Sequence, residues 1–450
     1  MKNLQRNDSW LIGYDIDEFN QLTEYYNQQL SQFKTPPTIF LAEENPFRFL
    51  AAFVAAISSN TFLFLCNPFW KQQEWEQVFH LVTPDIVWGN VPNIKRNSAI
   101  ATSQLPLENA IMIPTGGSSG KIRFAIHTWQ TLTASVNGFC SYFGNSPVNS
   151  FCILPLYHVS GLMQFLRSLL TQGRILILSH KDFKSQSKSL FLDQSFTDFF
   201  ISLVPTQLQF ILEENPTWLS QFKTVLLGGA PPWKALLESA RNYNIRLAPT
   251  YGMTETASQV VTLKPNDFLS GNNSNGQLLP HANIKICNNR NESLFVNETG
   301  ILKVSTKSLC LGYYPDLFTN SSYFQTDDLG FFDQNGYLHI VGRNSRKIIT
   351  GGENVHPNEV ESVILATGLI QDVCVIGLPD TTWGEVITAV YVPHSDMISI
   401  SEIKASLENQ LSRYKQPKYW IKIESLPRNL QGKVCYNEVE KMAIDSFRKI

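Results

Sequence analysis

The sequence predicts an α/β protein in two unequal parts, a large N-terminal unit over residues 1–343 and a small α+β unit over residues 344–450. Length is the first reason, because 450 residues exceed what one compact core usually accommodates. The second is a rhythm of short apolar runs alternating with segments of helical period, as parallel sheets require. The third is a break. Beyond Gly342 the chain turns polar at Arg343-Asn-Ser-Arg-Lys347, and a second, smaller α/β pattern follows.

Taken in order, Pro46 to Ser59 places apolar residues on a helical period, and Thr61-Phe-Leu-Phe-Leu-Cys66 reads as a buried strand. A helix over Gln72 to Val82 and a second run at Asp85-Ile-Val-Trp88 complete a strand–helix–strand crossover. The rhythm returns at Phe151-Cys-Ile-Leu154, Arg174-Ile-Leu-Ile-Leu178, Phe199-Phe-Ile-Ser-Leu203 and Thr224-Val-Leu-Leu227. From about Gly276 to Val341 short strands alternate with Gly/Asn turns such as Asp333-Gln-Asn-Gly336, so the N-terminal unit ends in a β-rich part made of hairpins.

Composition narrows the function classes. Hydrophobic residues at 43% and aromatics at 12% exclude bulk disorder. Lys+Arg 36 against Asp+Glu 38 leaves a net charge of -2, which gives no electrostatic case for nucleic acid as a partner. Seven scattered cysteines form no Cys-x-x-Cys pair, so neither a zinc site nor a disulfide framework is expected. Reduced thiols fit a cytoplasmic protein. Met1 to Asp15 lacks an apolar signal core, and Phe49 to Ile57 is far shorter than the roughly 20 residues of a membrane helix, so no membrane span is predicted. Nothing in the sequence sets an oligomeric state.

Pro114-Thr-Gly-Gly-Ser-Ser-Gly-Lys121 is the first segment able to carry chemistry, because successive glycines let backbone N–H groups converge on an anion. A Walker A loop fails here: Thr115 stands where the first Gly is required, and Ile122 where Ser/Thr is required. Gly116-Gly-Ser-Ser-Gly120 has the form of a hydrolase nucleophile elbow, but that elbow must lead into a helix. Lys121-Ile-Arg-Phe-Ala-Ile-His127 instead alternates like a strand, with Ile122, Phe124 and Ile126 on one face. The loop therefore reads as a hairpin tip, and on its own it is equally an ordinary Gly/Ser turn.

Later segments decide. Together with Pro155-Leu-Tyr-His-Val-Ser-Gly161, Leu227-Gly-Gly-Ala-Pro231, Tyr251-Gly-Met-Thr-Glu-Thr256, Thr326-Asp-Asp328, Gly342-Arg343, Gly351-Gly-Glu-Asn354 and Pro427-Arg-Asn-Leu-Gln-Gly-Lys433, the loop resembles the motif series of the acyl-CoA synthetase, luciferase and peptide-synthetase adenylation superfamily. The family's phosphate loop reads Thr-Ser-Gly-Ser-Thr-Gly-x-Pro-Lys; here Ile122 replaces Pro and Arg123 replaces Lys. The resemblance implies ATP, Mg²⁺ and coenzyme A as reactants beside a small-molecule carboxylic acid. It also implies a C-terminal lid that rotates between two half-reactions.

Residue by residue, the resemblance has Thr115, Ser118, Ser119 and the N–H groups of Gly116, Gly117 and Gly120 wrap the β- and γ-phosphates. Gly229, Ala230 and Tyr251 lie on the nucleotide side, Thr254 bonds the α-phosphate, and Glu255 holds Mg²⁺. Asp328 accepts both ribose hydroxyls, with Asp327 standing where the family usually has Gly, and Arg343 assists. Lys433 is the lid lysine that bridges carboxylate and α-phosphate, and Gly351 and Gly352 leave room for the pantetheine arm of CoA. Arg346 stands at the usual hinge position. Singly, these residues have bland readings: a helix cap for Thr254 and Glu255, a solvated linker residue for Arg343, a surface lysine for Lys433.

For the acid, the modest length and the string His158-Val-Ser-Gly-Leu-Met-Gln-Phe-Leu-Arg-Ser-Leu-Leu170 most resemble the branch whose substrate carries a second, aromatic carboxylate. His158, Gln164, Ser258 and Ser274 are its candidate donors, and a protonated His158 would add a charge to the pairing. His158 is otherwise a core histidine. Another aryl or medium-chain acyl-CoA ligase, a ligase loading a carrier protein, and a non-catalytic nucleotide-binding relative stay open at this point.

Overall fold

The computed structural model describes residues 6, 8–92, 107, 109–116, 121–144, 147–179, 181–183, 185, 196–319, 322–351, 353–380, 382–408, 410–429 and 433–447. Two large sheets dominate the N-terminal part. In the seven-stranded sheet the strands Ala110–Gly116, Phe62–Leu65, Thr38–Ala42 and Ile86–Gly89 run parallel, while Ile122–His127, Gly312–Tyr313 and Asp316–Leu317 extend it antiparallel. In the eight-stranded sheet six strands from Leu11–Ile12 to Leu247–Met253 are parallel, and Ser258–Thr262 and Gln277–Leu278 close it antiparallel.

A helical layer lies between the two sheets. Ile39 and Leu41 point into it while Phe40 and Ala42 point to the outer layer, as the two-residue period of a strand dictates. The helix Pro46–Ser58 fills this middle layer. Asn45 caps it by accepting from the Arg48 N–H at 3.2 Å, Pro46 sits in its first turn, and every residue from Phe49 to Ile57 is buried. Its apolar circumference, wider than the single stripe the sequence suggests, follows from facing a sheet on each side. Full burial of each large side chain there contributes about 1.5–3 kcal/mol.

Most strands fall where the sequence places them, Phe199–Leu203 and Thr224–Leu227 with identical bounds. The strand expected at Phe151–Leu154 is instead Asn149–Cys152. Ile153 is 1% exposed after leaving the sheet, so hydrophobicity continues where pairing stops. The Gly/Ser segment does join two antiparallel strands, with Gly116 opposite Ile122, which excludes the hydrolase elbow. The β-rich part is a four-stranded antiparallel sheet of Ala282–Cys287, Gly300–Thr306, Phe324–Phe332 and Leu338–Arg343, and Asp333–Gly336 turns its last hairpin.

A short 3₁₀ turn, Asn344–Arg346, follows, and we place the boundary between the two units at Arg343. The smaller unit pairs Glu353–Val355, Ile348–Thr350, Gly384–Pro393, Ile370–Asp380 and Tyr419–Lys422 in one sheet, with helices Pro357–Ala366, Ile400–Leu407 and Tyr436–Phe447 around it. Pro357–Ala366 packs against the helix Lys234–Asn242 and the strand Leu338–Arg343 of the larger unit.

Candidate active site

The site is built around an abrupt reversal. Strand Leu247–Met253 ends in the 3₁₀ turn Thr254–Thr256, and Ala257 and Ser258 take positive φ of 50° and 93° before the chain returns as Ser258–Thr262. Gly252 is required at the pinch, because a Cβ there would lie 2.2 Å from the Ser258 carbonyl oxygen. Two strained non-glycine residues persist only if the surroundings hold them. They do. Four consecutive carbonyls accept from three separate segments: Thr254 from His127 Nε2 at 2.8 Å, Glu255 from Cys310 N at 2.7 Å, Thr256 from the Ser308 hydroxyl at 2.8 Å, and Ala257 from the Ser135 hydroxyl at 2.6 Å.

The turn carries Glu255, 7% exposed, toward the seven-stranded sheet. Its Oε1 accepts from the Tyr313 hydroxyl at 2.6 Å and the Thr115 hydroxyl at 3.4 Å. Oε2 has no hydrogen bond among the described residues. Gly117, Ser118, Ser119, Gly120 and Gly352 lie outside the described residues.

The neighbouring strand Thr224–Leu227 ends beside Leu247–Met253, which sets Gly229 (φ +84°) and Ala230 next to the Tyr251 end of the site. Tyr251 donates to Asp328 Oδ2 at 2.8 Å, and Arg343 Nε lies 3.3 Å from Asp328 Oδ1. Asp327, the departure from the family pattern, accepts from both the N–H and the hydroxyl of Ser345 and so ties this strand to the 3₁₀ turn between the units.

Lys433 reaches the same place from the smaller unit. Its loop is closed by the Arg428–Val434 bridge and by Asn429, and Arg428 pairs with Asp372 at 2.7 Å. The side chain keeps open surface, yet crowding by surrounding atoms lowers its pKa. Arg343 acts in the same direction, against the opposing pull of Glu255 and Asp328. The Lys433 charge also reaches His158. Burial first, and Lys433 second, push His158 down to about 3. A half-buried imidazole crowded by protein atoms beside an ammonium stays neutral, so His158 is a neutral hydrogen-bonding group here rather than a protonated one.

Of the other acyl-side candidates, Ser274 is 2% exposed and its hydroxyl accepts from the Gly276 N–H at 3.2 Å, so it serves its own turn. Gln164 donates to the Ser160 carbonyl at 3.0 Å and keeps Oε1 buried without a partner among the described residues. Ser258 meets Arg167, a residue the sequence analysis passes over. Arg167 is 2% exposed, donates to Ser258 Oγ at 3.1 Å and Gln259 Oε1 at 2.8 Å, and lies 4.2 Å above the Phe139 ring. Burial lowers it to about 10, which leaves it cationic at neutral pH. Among the described residues no carboxylate pairs with it and its Nε has no hydrogen-bond partner. An arginine inside an apolar helix was the signal.

Gly351, with φ +57°, donates its N–H to the Trp383 carbonyl at 2.9 Å, and a Cβ there would lie 2.8 Å from the Trp383 ring. Among the described residues no group of three or more His, Cys, Asp or Glu stands ready to hold a metal. A Mg²⁺ delivered with a triphosphate needs only one or two protein oxygens, and the Glu255 and Thr115 pair supplies that donor type.

The His127 contact makes a prediction of its own. His127 is fully buried and held down to about 4, chiefly by desolvation, so Nε2 keeps its proton for the Thr254 carbonyl while the ring stays neutral. Below about pH 6.5 the unfolded chain binds a proton that the folded one refuses. Stability from this site is therefore full above pH 6.5 and falls toward pH 4. His127→Gln keeps a donor but cannot titrate. Chemical denaturation at pH 7 and pH 5 should show the native protein losing about 2 kcal/mol more than the variant. Equal losses would remove His127 as a source of acid sensitivity.

This arrangement defines an adenylate-forming active site, and the chain belongs to the AMP-binding enzyme family. The model of the AMP-binding enzyme matches residues 91–314, and that of the AMP-binding enzyme C-terminal domain matches residues 359–433. A 2-succinylbenzoate–CoA ligase of Oceanobacillus iheyensis is 34% identical over 343 residues, 73% of this chain and 69% of the relative. The structure of O-succinylbenzoate coenzyme A synthetase (MenE) from Bacillus subtilis in complex with ATP and magnesium ion superposes with a TM-score of 0.78 at 25% identity, covering 94% of each chain. ATP-bound MatB from Rhodopseudomonas palustris, 20% identical, shares the fold, with a TM-score of 0.82 over 97% of this chain and 96% of that one.

Proposed function

We propose that this chain activates 2-succinylbenzoate with ATP and passes the acyl group to coenzyme A, a step in menaquinone or phylloquinone assembly. The observation that carries the substrate assignment is Arg167, a buried cation without a described counter-charge, fixed to Ser258 at 3.1 Å. The ring carboxylate of 2-succinylbenzoate is the counter-charge such a site calls for. The Oceanobacillus iheyensis and Bacillus subtilis relatives named above carry that activity in their names.

In the first half-reaction the succinyl carboxylate oxygen bonds to the α-phosphorus, and the bond from that phosphorus to the bridging oxygen of pyrophosphate breaks. Both reactants are anions, so the chain must hold them together and offset their charge. Lys433 bridges the attacking carboxylate and the α-phosphate, Thr254 donates to the α-phosphate, and Asp328, oriented by Tyr251 and Arg343, accepts the ribose hydroxyls. Glu255 and Thr115 would hold Mg²⁺, which would supply positive charge to offset that on the leaving pyrophosphate. In the second half-reaction the CoA thiolate sulfur bonds to the acyl carbon, and AMP departs with the electrons of the acyl–phosphate bond. Neutral His158 lines the thiol path as a hydrogen-bonding group, and Gly351 keeps that path open after the lid rotates.

Among the described residues no helix is long and apolar enough to cross a membrane, and all seven cysteines are free thiols. The free thiols suit a reducing compartment, and we propose a cytoplasmic enzyme. The test compares kcat/KM for 2-succinylbenzoate, 4-oxo-4-phenylbutanoate and octanoate at saturating ATP and CoA. Leaving one buried donor unpaired costs about 1–3 kcal/mol, so kcat/KM for the analogue lacking the ring carboxylate should fall about 5- to 150-fold. Octanoate matching 2-succinylbenzoate would replace this assignment with that of a general acyl-CoA ligase.

A further inference from the structure

The hairpin that follows the phosphate loop carries a departure that the reaction above does not use, Arg123. In register, Thr115 pairs with Arg123, and Ala125 pairs with Tyr313 of the next strand. Residues 123 and 125 are two apart on one strand, so Thr115, Arg123 and Tyr313 share one face of the sheet. Glu255 approaches that face. The Tyr313 hydroxyl donates to Glu255 Oε1 at 2.6 Å, Thr115 donates to the same oxygen at 3.4 Å, and the Arg123 guanidinium lies 4.2 Å above the Tyr313 ring.

Each contact limits a different freedom. The antiparallel pairing sets the Tyr313 backbone through Leu311 N to Ile126 O at 2.8 Å and Tyr314 N to Phe124 O at 2.9 Å. Arg123 covers the ring face, and Phe318 meets its edge with centroids 5.5 Å apart. With Oε1 engaged, rotation of the Glu255 carboxylate about its own axis is blocked.

We propose that Tyr313, held flat by Arg123, is a positioning residue that fixes the Glu255 carboxylate for its metal. The inference rests on the reading of Glu255 as the Mg²⁺ ligand. Groups that orient a metal ligand typically contribute 10–100-fold to metal affinity.

The experiment measures ATP binding by calorimetry across a Mg²⁺ series, with no acid present, for the native chain and for Tyr313→Phe, Arg123→Gln and Glu255→Gln. Tyr313→Phe should raise the half-saturating Mg²⁺ concentration about tenfold or more. Arg123→Gln should raise it about 2- to 5-fold, the scale of losing one exposed cation–π contact. Thioester formation from supplied acyl-AMP should stay within about twofold of native, which a general loss of structure would not allow. If Glu255→Gln shifts the Mg²⁺ requirement and Tyr313→Phe does not, the positioning role is wrong and the metal reading stands. If Glu255→Gln leaves it unmoved, the metal reading falls and this inference with it. Should Tyr313→Phe fail to fold, Arg123→Gln, on an exposed side chain, decides by the same measurement.

Discussion

Lys433→Ala slows acyl-adenylate formation about 10²–10³-fold, the scale of losing one preorganised charge, and leaves thioester formation from supplied acyl-AMP nearly intact. The expectation follows from where the lysine sits. Its loop belongs to the smaller unit, anchored there through Arg428 to Asp372, yet its charge is felt by His158, Glu255 and Asp328 of the larger one. If the smaller unit rotates between half-reactions, as proposed, this cross-unit contact belongs to one of its positions. The alkaline side adds a second signature, because crowding and Arg343 depress Lys433 below the ordinary lysine value of 10.5. Adenylation should lose its lysine-dependent limb below that value, and the variant should lack this limb. The measurements are ATP–pyrophosphate exchange across pH and CoA-dependent consumption of synthetic acyl-AMP. Equal damage to both half-reactions would return Lys433 to a structural role.

The sequence made the strand–helix rhythm and the motif series legible because both are local. The Phe199–Leu203 and Thr224–Leu227 runs are bounded by their own turn residues, and Tyr251 to Thr256 is a continuous string. The supports of the site are not local. His127 meets Thr254 across 127 positions, Tyr313 meets Glu255 across 58, and Arg167 meets Ser258 across 91. No periodicity reports such pairs. His158 is a complementary case: its sequence context does not set its charge, and crowding together with the position of Lys433 shows why it is neutral. Ser274 looked like a spare donor until its turn appeared around it. Asp327 looked like a flaw in the ribose motif and proves to clasp Ser345 instead.

Arg167→Met should erase the preference for an acid bearing a ring carboxylate. The guanidinium is 2% exposed, has an unpartnered Nε, and is aimed by Ser258 and Gln259, both of which offer oxygen acceptors rather than charge. A substrate carboxylate that pairs with it loses its buried partner in the variant. Truncating one side of such a pair costs about 2–5 kcal/mol, so kcat/KM for 2-succinylbenzoate should fall about 30- to several-thousand-fold. For 4-oxo-4-phenylbutanoate, which never met the cation, kcat/KM should hold or rise, since methionine fills the volume without demanding a counter-charge. Arg167→Lys keeps charge but not the planar fork, and should recover part of the discrimination. The readout is the ratio of the two specificity constants, which a loss of folded enzyme cannot change. If the ratio survives in Arg167→Met, the ring carboxylate is held elsewhere and Arg167 serves only to brace the Ser258 turn.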